Sequence, residues 1–309
     1  MPENRLISLD WAMKRLLRSK SNFGILEGFL TELIYKKEND KIKKEELKKS
    51  LKIEEILESE ANQERENDKF NRVDIKLKNS DGEIIIVEIQ FSSQYDYFQR
   101  MLYGTAKNIT EYLDVGEDYG NIIKVISVNI IYFDLGFGKD YIYHGKTDFK
   151  GMYQDDTLKL STRNRKKFGK TEPSQLYPEY YIIKVNKFDD IAKNSLDEWI
   201  YFLKNEEIKS DFTAKGLDRA KDTLNLMQLE GKEKLNYDRY IERRRDEKSF
   251  AITKKLELEE SREKGKIEGK IEEKIKIAKI SLQQNIDIST IALITGLSIS
   301  EIEELEQKE

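Results

Sequence analysis

The order of patterned segments along the chain predicts an α/β fold, a mixed β-sheet flanked by helices, with a charged α-helical extension at the C-terminal end. Three observations carry that prediction. Strand-period and helix-period segments alternate, which is the arrangement of helices packed on a sheet. Two runs, Ile84 to Phe91 and Asn121 to Asp134, are apolar enough for the middle of a sheet, and the first is apolar on both faces. Beyond residue 205 the character shifts to charged helices with few apolar anchors. The expected domains are therefore 1–205 for the sheet, 206–285 for a charged helical extension and 286–309 for a short helical hairpin.

Taken in order, Leu6 to Leu17 reads as a helix anchored by Leu9, Trp11, Met13, Leu16 and Leu17. A second helix follows from Phe23 to Ile34, where Phe23, Leu26, Leu30, Leu33 and Ile34 recur at helical spacing. Glu27 borders that stripe, whereas Glu32 falls on the far face. Lys36 to Lys52 is a dense charge run, a solvated helix or loop. Ile56 and Leu57 begin an edge strand, with Glu58 and Glu60 close behind. Ser92 to Leu113 changes to helical period, with Tyr95, Phe98, Leu102 and Ala106 as its apolar stripe and Tyr103 and Ile109 nearby.

Further strands are expected at Asn121 to Asp134, Tyr141 to His144 and Tyr180 to Asn186, and a helix around Trp199 closes the domain. Asp155 to Lys170 is a basic, weakly hydrophobic loop containing Arg163, Arg165, Lys166 and Lys167. Gly216 to Glu230 and Tyr237 to Lys248 read as separate charged helices. In Lys254 to Gln284, Ile267, Ile271, Ile275 and Ala278 make a thin apolar seam, suited to pairing with another chain unless the helix stands alone in solvent. The tail resembles a helix-turn-helix fragment whose acidic second helix, with Ser300 and Glu303 as a capping box, favours packing over DNA reading.

Composition bounds the chemistry. The chain has 309 residues, no cysteine and a single histidine, His144, so disulfides, thiolate chemistry and two-imidazole mechanisms are excluded. His144 reads as a surface or otherwise satisfied polar residue. No apolar run approaches the roughly 20 residues that span a bilayer, so a cytoplasmic protein without a membrane partner is expected. A net charge of −4 with 37% charged residues leaves room for local basic patches. Phosphate-binding, dinucleotide-binding, nucleophile-elbow and zinc-spacing motifs are all absent.

The concentrated chemistry lies in a hairpin. Val73 to Leu77 and Ile84 to Phe91 flank Asn79, Ser80, Asp81 and Gly82. A type I turn with Gly82 in the left-handed bulge position pairs Asn79 with Glu83, Asp74 with Glu88 and Arg72 with Gln90. Alternation then puts Asp74, Glu88 and Gln90 on one face, with two carboxylates meeting. Like charges about 5 Å apart repel by roughly 3 kcal/mol at an effective dielectric near 20. Shared protonation relieves that repulsion, and so does a magnesium ion held by the two acids, water and the backbone carbonyl of Ile89. The plainer alternative is a pair of solvated residues on the polar face of a strand.

An Asp, a hairpin, then Glu-x-Gln on a buried strand, followed by an aromatic Arg-Met-x-Tyr helix, resembles the PD-(D/E)XK nuclease superfamily, and within it the Rpn family of recombination-promoting nucleases. The resemblance runs from LISLDWAMKRLL through the Tyr-rich middle to TGLSISEIEEL. It implies a restriction-endonuclease-like core and a Mg²⁺-dependent, or other divalent-cation-dependent, DNA endonuclease linked to recombination or transposition. Asp74 and Glu88 take the metal-ligand positions, and Gln90 stands where lysine is commonest. Glu27 becomes a third acidic ligand unless it is a boundary glutamate with its head in water. Arg100 and Tyr103 are implied to face the site, the alternative being a surface ion pair and a core ring. Arg163, Arg165, Lys166 and Lys167 would hold DNA phosphates if their loop lies beside the site. Because Gln offers only amide dipoles, a weakly catalytic DNA-binding or assembly protein, forming a homodimer through its C-terminal helices, is the second reading.

Overall fold

A computed structural model of the chain describes residues 6–9, 11–12, 19–35, 50–57, 74–112, 118–225 and 229–306. It divides into two compact units, Met1–Tyr240 and Ile241–Glu309. In the first, the described elements are α1 (Phe23–Ile34), β1 (Ile53–Leu57), β2 (Ile75–Asn79), β3 (Ile84–Gln90), α2 (Tyr97–Glu111), β4 (Val125–Ile131), β5 (Ile142–Gly145), α3 (Thr162–Phe168), β6 (Glu179–Lys184), α4 (Ser195–Asn205) and α5 (Leu217–Thr223). The charged helix α6 (Gly231–Gln283) runs on into the second unit, which adds α7 (Ile288–Thr295) and α8 (Ile299–Glu306).

The predicted α/β architecture with a helical C-terminal region is what the chain adopts. Six strands form one mixed sheet in the order β1-β2-β3-β4-β6-β5. The strands β1, β2 and β3 are antiparallel neighbours, β3, β4 and β6 are parallel, and β5 closes the far edge antiparallel to β6. In β3 and β4 nearly every side chain is buried, which their continuous Ile and Val content allows only with both faces covered. The helix α2 lies on the face shown by Ile84, Ile86 and Val125, packing Ile109 and Tyr112 at one end and Tyr97 and Met101 at the other.

That helix presents a different stripe from the one expected. Tyr97 and Met101 are buried with Gly104, Thr105 and Asn108, whereas Tyr95, Phe98, Leu102 and Tyr103 are exposed. Periodicity located the helix and the inward Ile109, but Phe98, Leu102 and Tyr103 are not turned into the core. Glu32, assigned to a solvent face, is buried and accepts a hydrogen bond from Ser195 Oγ, because α1 is covered almost all round. Phe29 of α1 meets Trp199 of α4 with ring centres 5.7 Å apart.

The core continues past residue 205. Ala214, Leu217, Ala220 and Leu224 are buried, and Leu6 and Ile7 donate main-chain hydrogen bonds to Glu206 and Leu224 at 3.3 and 2.7 Å. Leu6 therefore forms a β-bridge with Asn225 rather than opening a helix. Leu9 and Trp11 are helical and buried as expected; Met13, Leu16, Leu17, the charge run 36–49, Glu58 and Glu60 lie outside the described residues. The basic stretch is also not a loop throughout: Ser161 caps α3 by accepting from Asn164 N, and Gly169 ends it in the left-handed conformation.

The two charged helices expected after Tyr237 are one continuous helix, α6. Its end packs Ala278 with Ile291 of α7 and Ile302 of α8 in a small separate core. The capping box of α8 falls at Ser298 and Glu301, two residues before the expected pair, with Ser298 N donating to Glu301 Oε2 at 2.8 Å and Glu301 N to Ser298 Oγ at 3.3 Å. Among the described residues no helix is long and apolar enough to cross a membrane.

Candidate active site

The hairpin sets the geometry of the site. Gly82 takes φ +77°, and its amide donates to Asn79 O at 2.9 Å. Asn79 Oδ1 accepts from the amides of Asp81 and Glu83, which fixes the bulged turn locally. The ladder runs Lys78↔Ile84, Leu77↔Ile85, Lys76↔Ile86 and Ile75↔Val87. One further step in that register sets Asp74 opposite Glu88, both on the face covered by α2. The corresponding partner of Gln90, Arg72, lies outside the described residues.

The two acids occupy unlike surroundings. Asp74 Oδ2 accepts a 2.6 Å hydrogen bond from the amide of Ile89. Since a strand residue's N–H and C=O point to the same neighbour, the Ile89 carbonyl is directed toward the same edge. Glu88 is only 6% exposed, and its carboxylate receives no hydrogen bond from the described residues. Among the described residues Arg100 pairs with it, with Nε 3.9 Å from Oε2. Burial raises the Glu88 pKa, Arg100 pulls it down and the charge on Asp74 pushes it up, leaving it at about 7 instead of 4.5.

The first turns of α2 complete the site. Arg100 donates from Nη1 to Gln94 Oε1 at 3.1 Å, while its buried Nε has no hydrogen-bond partner. Tyr97, fully buried, donates its hydroxyl to Asn129 Oδ1 at 3.3 Å, and Asn129 lies beside Glu88 in the parallel register of β3 and β4. Asn129 Nδ2 in turn donates to Ser127 Oγ and to the Tyr181 carbonyl. Gln90, half-buried at the end of β3, donates to the Ser92 carbonyl at 3.3 Å. Tyr97 and Asn129 were missed in the sequence. A lone amide in the otherwise apolar run VISVNII was a readable signal for Asn129, but nothing set Tyr97 apart from its aromatic neighbours.

The remaining candidates lie elsewhere. Glu27 accepts from Ile53 N at 2.9 Å and pairs with Lys52 at 3.0 Å. Ile53 pairs with Asn79 at the turn end of the sheet, five positions along β2 from Asp74 or about 16 Å. Glu27 thus anchors β1 and cannot share an ion with Asp74. Tyr103 is 54% exposed on the outside of α2. Arg163, Arg165, Lys166 and Lys167 are exposed on α3, where Lys167 pairs with Asp118 at 3.0 Å, and the adjoining Lys170 with Glu83 at 3.6 Å. Glu83 precedes β3, so this cluster sits at the end of the sheet opposite Glu88. His144, exposed as expected, hydrogen-bonds Glu179 and stacks on Tyr181.

Among the described residues no group of three or more His, Cys, Asp and Glu side chains could hold a metal ion. The oxygen donors that do converge are Asp74, Glu88 and the main chain at Ile89. Such a set suits a hard cation that keeps several of its waters and leans on a substrate phosphate. Glu88, buried and among the described residues without a hydrogen-bond donor, and Arg100 Nε, buried and among them without a hydrogen-bond acceptor, are the groups such a ligand would satisfy.

A family model described as PD-(D/E)XK nuclease family transposase matches residues 7–254. No curated protein and no solved structure matches the chain.

Proposed function

Because the chain belongs to the PD-(D/E)XK nuclease family transposases, we propose that it is a divalent-cation-dependent DNA endonuclease of the Rpn type, acting in the cytoplasm in recombination or transposition. The observation that carries this reading is the placement of Asp74 one step beyond the Ile75–Val87 pair, opposite Glu88, with Glu88 buried and, among the described residues, without a hydrogen-bond donor. Asp74, Glu88 and the Ile89 carbonyl would hold the ion. The chemistry a divalent cation held there would supply is activation of a water and neutralisation of charge on the scissile phosphate. The Ile89 amide fixes the Asp74 carboxylate. Gln90, one of whose amide hydrogens reaches the Ser92 carbonyl, orients the attacking water through its amide oxygen. Arg100 turns toward Glu88 an Nε that pairs with it at 3.9 Å but makes no hydrogen bond, and a phosphate oxygen would accept from it. Tyr97 and Asn129 hold the wall behind Glu88.

The deciding experiment is magnesium-dependent plasmid cleavage by the wild-type chain and by Asp74→Ala and Glu88→Ala. Cleavage should vanish in both variants while their circular dichroism stays that of the folded protein. Cleavage that survives both substitutions rejects the assignment.

The amide at Gln90 favours a second reading, a weakly catalytic DNA-binding or assembly protein, for which magnesium would leave plasmid intact while DNA binding persists. Self-association belongs to either reading. Ile267 and Ile271 are about half exposed on α6, whereas Ala278 is taken up by the chain's own α7 and α8. Deleting residues 254–309 should therefore lower the mass measured by light scattering if the open part of the seam pairs two copies.

A further inference from the structure

The catalytic face does not end at α2. In the registers of the sheet, Glu88 pairs with Asn129, Asn129 with Ile182, and Ile182 with Tyr143. These four residues form one row across β3, β4, β6 and β5, on the face that α2 covers only in part. Three strand spacings separate Glu88 from Tyr143, about 14 Å. On the far side of α2 the row opens into a groove of about 360 Å³. Tyr180, Ile182 and Tyr143 line it from the sheet, and Phe98 and Leu102 from the helix. Phe98 and Leu102 are 53% and 63% exposed.

A cation adjoins this groove. Lys184, the last residue of β6, is 2% exposed, and its ammonium lies 5.8 Å from the centre of the Tyr143 ring. Among the described residues that ammonium has no hydrogen-bond or ion-pair partner, the main-chain amide alone donating to Tyr141 O. Lys184 pairs with Ile131, and Ile131 with Gln90, so the lysine is also two strands from the acidic site along the next row. A nearly buried ammonium without an anion is costly unless a ligand supplies one. Flat apolar walls beside a lone cation match a nucleotide, which has a π-face to stack and a phosphate to pair. An apolar peptide or a second copy of the chain would cover the rings and leave the ammonium unanswered.

We propose that the groove between α2 and the β6–β5 edge is a subsite for an unpaired base of the DNA strand whose scissile phosphate lies at Asp74 and Glu88, with Lys184 neutralising a neighbouring phosphate. The inference rests on the nuclease reading for the position of the scissile phosphate. The preferred substrate would be single-stranded DNA, or duplex with an unpaired stretch near the cut, since a base stacked within a duplex cannot enter the groove.

The test is binding of fluorescent single-stranded and duplex oligonucleotides to the full chain in EDTA, where the result does not depend on cleavage. Phe98→Ala, at a half-exposed site, should weaken single-strand binding by about 5-fold to 150-fold and leave duplex binding nearly unchanged. Lys184→Gln should reduce the slope of log affinity against log salt for single strands by about 0.7. Single-strand affinity unchanged in both variants overturns the proposal, and so does an equal loss for single strand and duplex in Phe98→Ala. A drop in mass by light scattering in Phe98→Ala, with single-strand affinity intact, would instead give the surface to a second copy. Cleavage fails independently of these readouts: an inactive wild-type chain that still shows the Phe98-dependent single-strand preference removes the nuclease reading and leaves the subsite.

Discussion

Asp74 Oδ2 lies 2.6 Å from the amide nitrogen of Ile89, so the strand that carries one acid orients the other. Removing that acceptor leaves the Ile89 amide, in a residue only 7% exposed, without its bond. Asp74→Ala should therefore cost about 1–3 kcal/mol in urea unfolding. Asp74→Asn keeps an oxygen for the amide and removes the like charge beside Glu88, so its stability should equal or exceed that of the parent. Equal losses in the two variants would show that the hydrogen bond does not orient the acid.

Glu88 makes the metal-free protein sensitive to pH. Its pKa in the fold, about 7, lies above the ordinary 4.5, so its contribution is fully present below pH 4.5 and is lost as pH rises through about 7. The loss amounts to about 3 kcal/mol. In EDTA, Glu88→Gln should be more stable than the parent at pH 8 and not at pH 4, and the difference should develop between those limits. A difference independent of pH would mean that Glu88 is solvated.

Among the described residues, Arg100 pulls the Glu88 pKa down. Arg100→Ala should raise it above 7, as carbon-13 NMR of the Glu88 carboxyl would record. The same variant should weaken binding of a non-cleavable DNA, because the guanidinium whose Nε is free to donate a hydrogen bond is gone. A Glu88 pKa that falls or stays put in Arg100→Ala would contradict the 3.9 Å pairing.

Glu27 separates support from chemistry. Glu27→Ala removes the acceptor of the Ile53 amide and the partner of Lys52, and should destabilise the fold by about 1–2 kcal/mol. Magnesium dependence should be untouched, because the Glu27 carboxylate is tied to β1 at the turn end of the sheet. A changed metal requirement, measured as the magnesium concentration for half-maximal cleavage, would restore Glu27 to the site.

The hairpin was legible because its information is local. Gly82 and Asn79 set the turn, the turn sets the register, and the register alone places Asp74 across from Glu88. The orientation of α2 was not, since Phe98 and Leu102 of the expected stripe are more than half exposed while Thr105 and Asn108 are buried. Asn108 satisfies itself on the Gly104 carbonyl, and Thr105 on that of Met101, so polar residues fit a buried face at little cost. Glu27 and the basic residues of α3 lie away from the acids for a shared reason. Whether a charged group reaches the acids depends on which end of the strands its element meets, and spacing along the chain carries no record of that.

The amides of Leu6 and Ile7 find their acceptors on Glu206 and Leu224. A chain made from its N-terminus cannot close this seam until some two hundred residues beyond Ile7 have been added, so the apolar side chains of Leu6 and Ile7 must wait for them unburied. Translation that stops at residue 205 would release a product lacking the acceptors of its own first residues, and such a fragment should partition to aggregates or proteolysis even though every acid of the hairpin is present.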